Sequence, residues 1–355
     1  MGELDKKVSQ AIRNQLQMLS EAVVRRQYEL QPEIWQPYGD AGREKSVRDV
    51  GYHLSYLAEA IAASDPALFA DYVTWVKVLF AGLRFPDQVL PTTLQCIGDA
   101  LQEVLPEELR AMAGEYVKAG LGQLAQAPSV LPTFISQDAP WADLATEYLN
   151  ALLRGERHVA SRLILEAVDR GAPIKDLYLH VFQPSQHEIG RLWQMNQISV
   201  AREHYCTAAT QLIMSQLYPY IFATERICRR LVATCVGGEL HEIGIRMVAD
   251  FFEMAGWDTY YLGANTPTES VVRTVAEREA DVLGVSATIT FHVSAVADLI
   301  ASVRASEAGD VKILVGGYPF NVAPDLWRRV GADGCAHDAQ EAVELANRLV
   351  ANGAQ

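Results

Sequence analysis

The chain has 355 residues, which predicts two or three domains rather than one small core. Half of the residues are apolar and 21% are charged, a composition typical of globular proteins and not of disordered or fibrous ones. The formal net charge is −14 and no Lys- or Arg-rich block occurs, so we expect no direct contact with nucleic acid.

Cysteine usage and hydropathy bear on location. The five cysteines are widely spaced and form no CxxC pair, which argues against a disulfide framework and against a zinc site. No apolar run approaches the roughly 18 residues that a spanning helix needs, and the first six residues lack a signal-peptide core. We therefore expect a cytoplasmic protein with reduced thiols and no membrane contact.

The first third of the chain has a helical pattern throughout. From residue 8 to about 126, apolar residues recur at spacings of three and four, and prolines mark several helix boundaries. We predict five to seven helices and no strand, in a domain covering residues 1–127. Residues 127–140 are rich in Pro, Ser and Thr and predict a linker.

Four more amphipathic segments follow in a second predicted domain, residues 138–225. Glycine, Gly-Ala-Pro and Asn-Gln breaks separate them, and connections this short favour antiparallel neighbours. A four-helix bundle is the predicted architecture. The segments cover residues 141–154, 156–170, 173–193 and 199–222.

After Arg230 the pattern changes to short apolar runs that alternate with helical stretches. This alternation predicts βαβ units with a parallel sheet, and hence a flavodoxin-like (Rossmann) domain over residues 228–355. Ligands of such sheets bind beyond the carboxyl ends of the strands. The predicted strands are residues 231–236, 257–262, 281–286, 311–315 and 334–336.

The loop after the first predicted strand carries a candidate metal ligand. It reads Gly-Gly-Glu-Leu-His-Glu-Ile-Gly from Gly237 to Gly244, and the glycines allow a tight turn, a close ligand and close packing of the next helix. A neutral imidazole at His241 is a good metal ligand, and a carboxylate two residues away can fix its tautomer. Taken alone, such a histidine is more often a capping or surface residue.

Motifs in the later loops complete a pattern with this one. Glu239-x-His241-x-x-Gly244 follows the first strand, Val-Ser286-Ala-Thr288 ends the third, and Val-Gly316-Gly317 ends the fourth. In this order they resemble the cobalamin-binding Rossmann domain, whose signature has Asp at the position of Glu239. The resemblance implies that His241 ligates cobalt from below, and that small residues line a groove for the displaced nucleotide tail. The cofactor contacts it implies in this domain are Glu239, Leu240, His241, Glu242, Ile243, Gly244, Ser286, Thr288, Gly316 and Gly317.

The bundle carries Trp193, then Val200, Glu203 and His204, across a helix–helix turn. Without the downstream domain, the tryptophan reads as core and the Glu-His pair as a polar helix start. With it, the segment resembles the cap of the light-dependent cobalamin regulators. That resemblance implies that Trp193 covers the upper axial group and that the other three contact an adenosyl moiety. Gln194 stands where those regulators often have a second histidine, which puts the ligand after photolysis in doubt.

The N-terminal region contains two aromatic helical segments, residues 52–57 and 71–79. These segments are similar to the globin-like domain of photocobilins, photoreceptors that hold cobalamin and biliverdin, and the region stands in place of the regulators' DNA-binding domain. The resemblance implies a second, non-covalently bound chromophore, biliverdin. The alternative is that the aromatic stripe is core and the charges are its solvated rim. Candidate bilin contacts are Tyr52, His53, Tyr56, Trp75, Lys77 and Arg84.

Three functions stay open at this stage. The resemblances favour a non-catalytic light sensor that holds adenosylcobalamin between bundle and Rossmann domain. Photolysis of the cobalt–carbon bond would then change conformation and a homo-oligomeric interface, with an unknown protein effector. The alternatives are a corrinoid shuttle protein of a methyltransferase system and a cobalamin-binding regulator without photochemistry.

Overall fold

The computed structural model describes residues 2–352, which fall into two compact units. The first, here called the N-terminal unit, contains the described residues up to Ser129 together with Ala287–Ala301 and Gly317–Ala332. The second, here called the sheet unit, contains Val130–Ser286, Ser302–Gly316 and the described residues from Asp333 onward. Each unit is therefore built from segments that are distant in sequence.

The predicted helical character of the N-terminal region is confirmed. Its described regular elements are all helical, and Asp65 and Pro66 show how one begins: the Asp65 carboxylate accepts a 3.0 Å hydrogen bond from the Ala67 backbone N–H, while Pro66 occupies the first turn. A resemblance of this region to globins stays a prediction. The helices are α1 (Glu3–Asn14), α2 (Leu16–Leu30), α3 (Pro32–Trp35), α4 (Gly39–Ala62), α5 (Pro66–Gly82), α6 (Val89–Val104) and α7 (Glu107–Leu124).

The four predicted amphipathic segments of the bundle are helices in the sheet unit. One π-helical turn, Tyr178–Phe182, interrupts the third segment just before Pro184. Proline has no N–H and its ring clashes with the carbonyl four residues earlier, which is a reason for the wider turn here. The helices are α8 (Ala142–Leu153), α9 (Arg157–Asp169), α10 (Ile174–Leu177), α11 (Gln183–Gln194), α12 (Val200–Gln216) and α13 (Tyr218–Ile221).

The predicted parallel sheet is confirmed, with five strands in the order β2-β1-β3-β4-β5. This is the flavodoxin-like order, in which the switch point lies beside β1. Trp257, predicted to start the second strand, lies just before it and is fully buried. The elements are β1 (Arg230–Cys235), α14 (Ile243–Met254), β2 (Asp258–Gly263), α15 (Thr268–Glu277), β3 (Val282–Ser286), α16 (Val293–Arg304), β4 (Lys312–Gly316), α17 (Tyr318–Val322), α18 (Leu326–Val330), β5 (Gly334–Cys335) and α19 (Ala339–Asn352).

One hydrophobic core joins the bundle to the sheet within the sheet unit. Tyr148 and Phe182 of the bundle belong to the same buried cluster as Phe251 of α14 and Val282 of β3. No helix among residues 2–352 combines the length and the apolar character needed to cross a membrane.

A buried hydrogen bond ties the π-helical turn to α14. The Tyr178 hydroxyl donates to Asp250 Oδ2 at 2.8 Å, and both side chains are buried. Burial raises the pKa of Asp250 to about 6, although the Tyr178 hydrogen bond and Arg246 oppose the shift. The Asp250 carboxyl is therefore more easily protonated in the folded than in the unfolded chain.

This raised pKa predicts a pH-dependent stability that Asp250→Asn should remove. The contribution of the carboxyl to stability is complete at low pH and is lost as the pH rises through about 6. Urea unfolding measures the free energy of unfolding of the variant and the parent at each pH. Between about pH 4 and about pH 8, the free energy of unfolding of the variant should rise relative to that of the parent by up to about 3 kcal/mol. Asp258→Asn, at an exposed carboxylate, is the control. A difference for Asp250→Asn that does not change with pH would contradict the prediction.

Candidate functional site

The carboxyl ends of three adjacent strands lie side by side. Cys235 of β1 pairs with Ser286 of β3, which in turn pairs with Gly316 of β4. Ser286 is buried, and a Cβ added to Gly316 would lie 3.2 Å from the Ala336 carbonyl oxygen, so a side chain there would crowd the next strand exit. The motif residues at the ends of β1, β3 and β4 therefore share one edge of the sheet.

The loop after β1 holds His241 in a defined orientation. His241 Nδ1 lies 2.5 Å from Oε1 of Glu239, which also accepts a 2.9 Å hydrogen bond from the His241 backbone N–H. The Glu239 side chain is fully buried, whereas 57% of the His241 side chain is exposed. The hydrogen bond to Glu239 raises the pKa of His241. A proton held at Nδ1 leaves Nε2 as the electron-pair donor, which is the arrangement that metal-bound histidines use.

Asn265, in the loop after β2, fixes the same loop from the other side. Its Oδ1 accepts a 2.7 Å hydrogen bond from the Gly238 N–H, and its backbone N–H donates to the Glu239 carbonyl at 2.9 Å. Asn265 has a φ of 51°, a left-handed conformation that asparagine tolerates better than most residues. The buried carboxylate that orients His241 is thus held in place through its backbone.

Glu242 connects the loop to the bundle. One carboxylate oxygen accepts a 2.8 Å hydrogen bond from Gln211 Nε2 on α12. The other accepts from the Tyr261 hydroxyl at 3.0 Å and from the Ala264 N–H at 3.1 Å. Bundle, loop and the end of β2 therefore meet at the residue directly after His241.

The start of α12 brings a second carboxylate toward the histidine. Glu203 accepts a 2.8 Å hydrogen bond from the Thr207 hydroxyl and contacts Nδ1 of His204. Glu203 also lies close enough to His241 to contribute to its raised pKa. Our sequence analysis grouped Glu203 with Trp193 and His204 and did not predict this electrostatic contact with His241.

Apolar side chains of the sheet unit are exposed among the predicted cofactor contacts. Leu240 is 71% exposed and Val200 is 54% exposed, and Trp193, in the last turn of α11, is 36% exposed. The alternative interpretation was that Trp193 is a core residue, but its side chain is not fully buried. Exposed apolar surface in the same unit as the candidate metal-ligand histidine suits a large, flat and mostly apolar cofactor.

Two of the predicted cofactor contacts belong to the N-terminal unit. Thr288 and Gly317 lie in the segments that follow β3 and β4 and are part of that unit.

The structure contradicts the reason that we gave for Gly244. We predicted that this glycine lets α14 pack closely on the sheet, and this reason is wrong. Gly244 is exposed, and a Cβ there would meet open space, because the residue lies at the accessible start of the helix.

The candidate bilin residues fall into different environments of the N-terminal unit. Tyr56 stacks on Tyr72 with ring centroids 3.8 Å apart, and Trp75 lies on the same tyrosine at 6.4 Å. His53 is buried, accepts or donates a 2.7 Å hydrogen bond with Tyr72, and its pKa is lowered by burial to about 4. These three side chains surround one tyrosine, as core aromatic residues do.

The remaining bilin candidates do not join this cluster. Lys77 Nζ donates to the carbonyl oxygens of Leu124 at 2.8 Å and of Ala127 at 2.6 Å, so it caps the end of α7. Tyr52 and Arg84 are exposed. A propionate would have to compete with two carbonyl groups for Lys77.

Our sequence analysis did not assign a role to Gln211, Tyr261 or Asn265. A signal for Gln211 exists, because it follows Glu203 and Thr207 at spacings of four and so lies on the same face of α12. Tyr261 lies in β2, and Asn265 lies in the loop that follows it. No spacing rule connects them with their partners Glu242 and Gly238, which are 19 and 27 residues earlier in the chain.

Comparison with known proteins places this site in a family. Two models described as B12 binding domain match residues 144–218 and 229–346. A corrinoid protein from Desulfitobacterium hafniense is 27% identical over 213 residues, which cover 58% of this chain and 97% of that protein. The dimethylamine corrinoid protein 3 of Methanosarcina mazei is 32% identical over 123 residues, which cover 34% of this chain and 72% of that protein.

A solved structure agrees at the level of the fold. The monomethylamine corrinoid protein of Methanosarcina barkeri superposes with a TM-score of 0.54 at 22% identity and covers 59% of this chain and all of that chain. The matched ranges include the bundle, His241 and the ends of all five strands. The chain belongs to the family of B12-binding corrinoid proteins.

Proposed function

We propose that this protein binds a corrinoid between its bundle and its sheet and serves as a corrinoid methyl carrier of a methyltransferase system. The observation that carries the proposal is His241, half-exposed and oriented through Nδ1 by the fully buried Glu239. The relatives named for dimethylamine and monomethylamine support the carrier role over the light-sensor role that the sequence favoured.

The side chains of this chain fit such a cofactor. His241 would hold cobalt through Nε2, with Glu239 keeping the proton on Nδ1. Ser286 and Gly316 would line the path of the nucleotide tail at the strand ends, where small residues leave room for it. A bound corrinoid would supply a cobalt atom that can carry an alkyl group. Trp193, Val200 and Leu240 would exclude water from the macrocycle.

Glu242 would hold the bundle in a fixed position relative to His241, which is the preceding residue. Its carboxylate accepts hydrogen bonds from Gln211 of α12 and from the end of β2. These hydrogen bonds add a polar contact at the cofactor end of an attachment that is otherwise a shared hydrophobic core. Glu242 would therefore fix the distance between α12 and the loop that carries His241.

Ligand preference tests the carrier function. The purified protein should bind methylcobalamin in the dark at least as tightly as adenosylcobalamin, as measured by equilibrium dialysis under dim red light. Its molar mass in the methylcobalamin complex should be the same before and after exposure to green light. A tenfold or greater preference for adenosylcobalamin, about 1.4 kcal/mol, would contradict the carrier proposal.

A light sensor is the second candidate, and one set of residues favours it. Trp193 is partly exposed at the end of α11, and Glu203 with His204 begins α12, at the spacing found in the light-dependent regulators. Glu203 can accept hydrogen bonds from a ribose, which a methyl group does not offer. The N-terminal helices lie outside the ranges matched by the B12 binding models and would be the place for biliverdin.

The same binding assay separates the two candidates. A light sensor should prefer adenosylcobalamin, lose that preference in Glu203→Ala, and change its molar mass after green light. It should also take up biliverdin in a form that denaturation releases completely, because no attachment cysteine is expected. Retention of the bilin after denaturation would contradict non-covalent binding.

A further inference from the structure

A short part of the predicted linker lies on the bundle within the sheet unit. We call residues 131–135 the strap, and they belong to the same unit as helix α11. Ile135 packs against the hydrophobic core of this unit, and the half-exposed Phe134 lies edge-on to His187 with ring centroids 5.3 Å apart. We predicted a linker here from the sequence, but this part of it is attached to α11.

The polar attachment of the strap is a buried ion pair on α11. Arg191 donates to both carboxylate oxygens of Glu188, through Nε to Oε2 at 2.9 Å and through Nη2 to Oε1 at 2.6 Å. Only 12% of the Arg191 side chain and 6% of the Glu188 side chain are exposed. A bidentate pair of this kind holds both side chains in one geometry, because the planar guanidinium matches the carboxylate.

Both members of the ion pair also bond to the strap backbone. The Phe134 N–H donates to Glu188 Oε2 at 3.0 Å, and Arg191 Nη1 donates to the Leu131 carbonyl oxygen at 3.0 Å. Burial raises the pKa of Glu188, but hydrogen bonds from Arg191 and the Phe134 N–H outweigh it and leave that pKa below its ordinary value. The strap is therefore held to α11 by hydrogen bonds to a buried ion pair, whose loss would leave charge poorly solvated.

The ion pair and Trp193 lie on different faces of α11. Glu188, Arg191 and Met195 follow one another at spacings of three and four and share one face, where Arg191 Nη1 lies 3.0 Å from Met195 Sδ. An α-helix turns by about 100° per residue, so Trp193 is rotated by roughly 200° from Arg191. The strap thus holds the last turns of α11 from the side opposite to Trp193.

We propose that the strap is a positioning element for Trp193: it fixes the rotation of α11 and so sets how closely the indole ring approaches the group that cobalt carries. The inference rests on the proposed corrinoid binding and adds Glu188 and Arg191 as positioning residues that act through Trp193. Side chains that form a binding site must be held within about 0.5 Å by their surroundings, and the strap supplies such support. Because binding free energies are reciprocal, a corrinoid under Trp193 must also stabilise the attachment of the strap.

The test is a double-mutant cycle between the strap and Trp193, measured as the affinity for methylcobalamin in the dark. The strap is released by Glu188→Leu combined with Arg191→Met, which removes both charges together and leaves neither one buried and unpaired. In the parent background, this pair of substitutions should weaken methylcobalamin binding about fivefold or more. In the Trp193→Ala background, it should change the affinity by less than about twofold, because its effect passes through Trp193.

The matched control applies the same substitutions to an exposed ion pair of the bundle, as Glu156→Leu with Arg154→Met. The Arg154 and Glu156 side chains are 57% and 44% exposed, so their loss should leave the affinity within about twofold in both backgrounds. If the strap-release variant does not fold by circular dichroism, Arg191→Lys decides. Lysine keeps the charge beside Glu188 but lacks the planar fork, so binding should weaken about threefold or more, and only when Trp193 is present.

A second measurement needs no substitution in the strap. Amide hydrogen exchange in residues 131–135 should slow when methylcobalamin binds to the parent protein, because the cofactor stabilises the attachment of the strap. In Trp193→Ala, the exchange rate of the same residues should not change when methylcobalamin binds.

The outcomes separate this inference from the proposed function. Equal weakening in the two backgrounds, which a purely structural role of the strap would give, overturns the positioning role and leaves corrinoid binding intact. An unchanged affinity after release of the strap, or exchange in the strap that does not respond to methylcobalamin, has the same consequence. A parent protein that does not bind methylcobalamin would overturn the proposed function itself.

Discussion

Replacing His241 with alanine should weaken cobalamin binding by about 100-fold or more. Loss of a residue that only supports a metal ligand typically costs 10- to 100-fold in affinity, and loss of the ligand itself removes the bond. Isothermal titration with cobalamin measures the change directly. Glu239→Gln should show the smaller effect, about 10- to 100-fold, because it keeps the histidine but removes the charge that orients it.

The matched control for this prediction is His158→Ala. His158 is an exposed histidine of α9, and its replacement should leave the affinity for cobalamin within about twofold of the parent. If His241→Ala bound cobalamin as tightly as the parent does, the lower ligand would have to be another group, and the family motif would have a purely structural role here.

Replacing Gly317 with alanine should destabilise the protein by about 3 kcal/mol or more. The φ of Gly317 is 102°, which L-residues rarely adopt, and the new Cβ would lie 2.0 Å from the Ala287 carbonyl oxygen. With a ψ of 173°, Gly317 lies in a backbone region that is essentially restricted to glycine, where strain of about 1–3 kcal/mol and a steric clash of about 1–3 kcal/mol act together. Neither can relax easily, because the clashing atom is backbone. Urea unfolding monitored by far-UV circular dichroism measures the loss.

Gly331→Ala separates strain from clash. Gly331 lies in the same unit and has a left-handed backbone with a φ of 88°, but its added Cβ would meet only the Cγ2 methyl group of Ile300 at 3.5 Å, an ordinary van der Waals contact. This variant should cost about 1–2 kcal/mol, the strain alone. Equal losses in the two variants would mean that the backbone near Gly317 moves away from Ala287 without a penalty.

The strands and the histidine loop could be predicted from sequence because their signals are local. A buried parallel strand is a short apolar run, and β1, β3 and β4 were each placed within a residue or two of their observed bounds. The glycines after β1 suit the tight turn that such a strand requires, whereas the role of the histidine was predicted from the resemblance to the cobalamin-binding motif. His241 and its partner Glu239 are two residues apart, so one loop contains both.

The contacts between distant segments could not be predicted in the same way. Gln211 reaches Glu242 only because α12 packs beside the loop, and Ser294 reaches Glu59 across 235 positions of sequence. The pattern in residues 228–355 predicts one domain, yet the segments after β3 and β4 are grouped with the N-terminal helices. Periodicity reports which face of an element is buried but not which partner buries it.

The functional prediction illustrates the same limit. His241 and Ser286, which match the motif of the cobalamin-binding domain, were the basis for predicting a corrinoid cofactor. The choice between methyl carrier and light sensor depends on which upper group the bundle covers, and on what the N-terminal helices contact. Trp193 and Glu203, the predicted cap residues, do not by themselves distinguish a methyl group from an adenosyl group.

Electron paramagnetic resonance of the protein loaded with cob(II)alamin is the most direct test of the central claim that His241 is the lower cobalt ligand. The protein should be prepared with ¹⁵N-labelled histidine and with unlabelled cobalamin. We predict that the nitrogen splitting of the cobalt signal changes from three lines in unlabelled protein to two lines in labelled protein, because the coordinating nitrogen comes from the chain. A three-line pattern that persists in the labelled protein would show that the cofactor's own base remains bound, and would contradict the account.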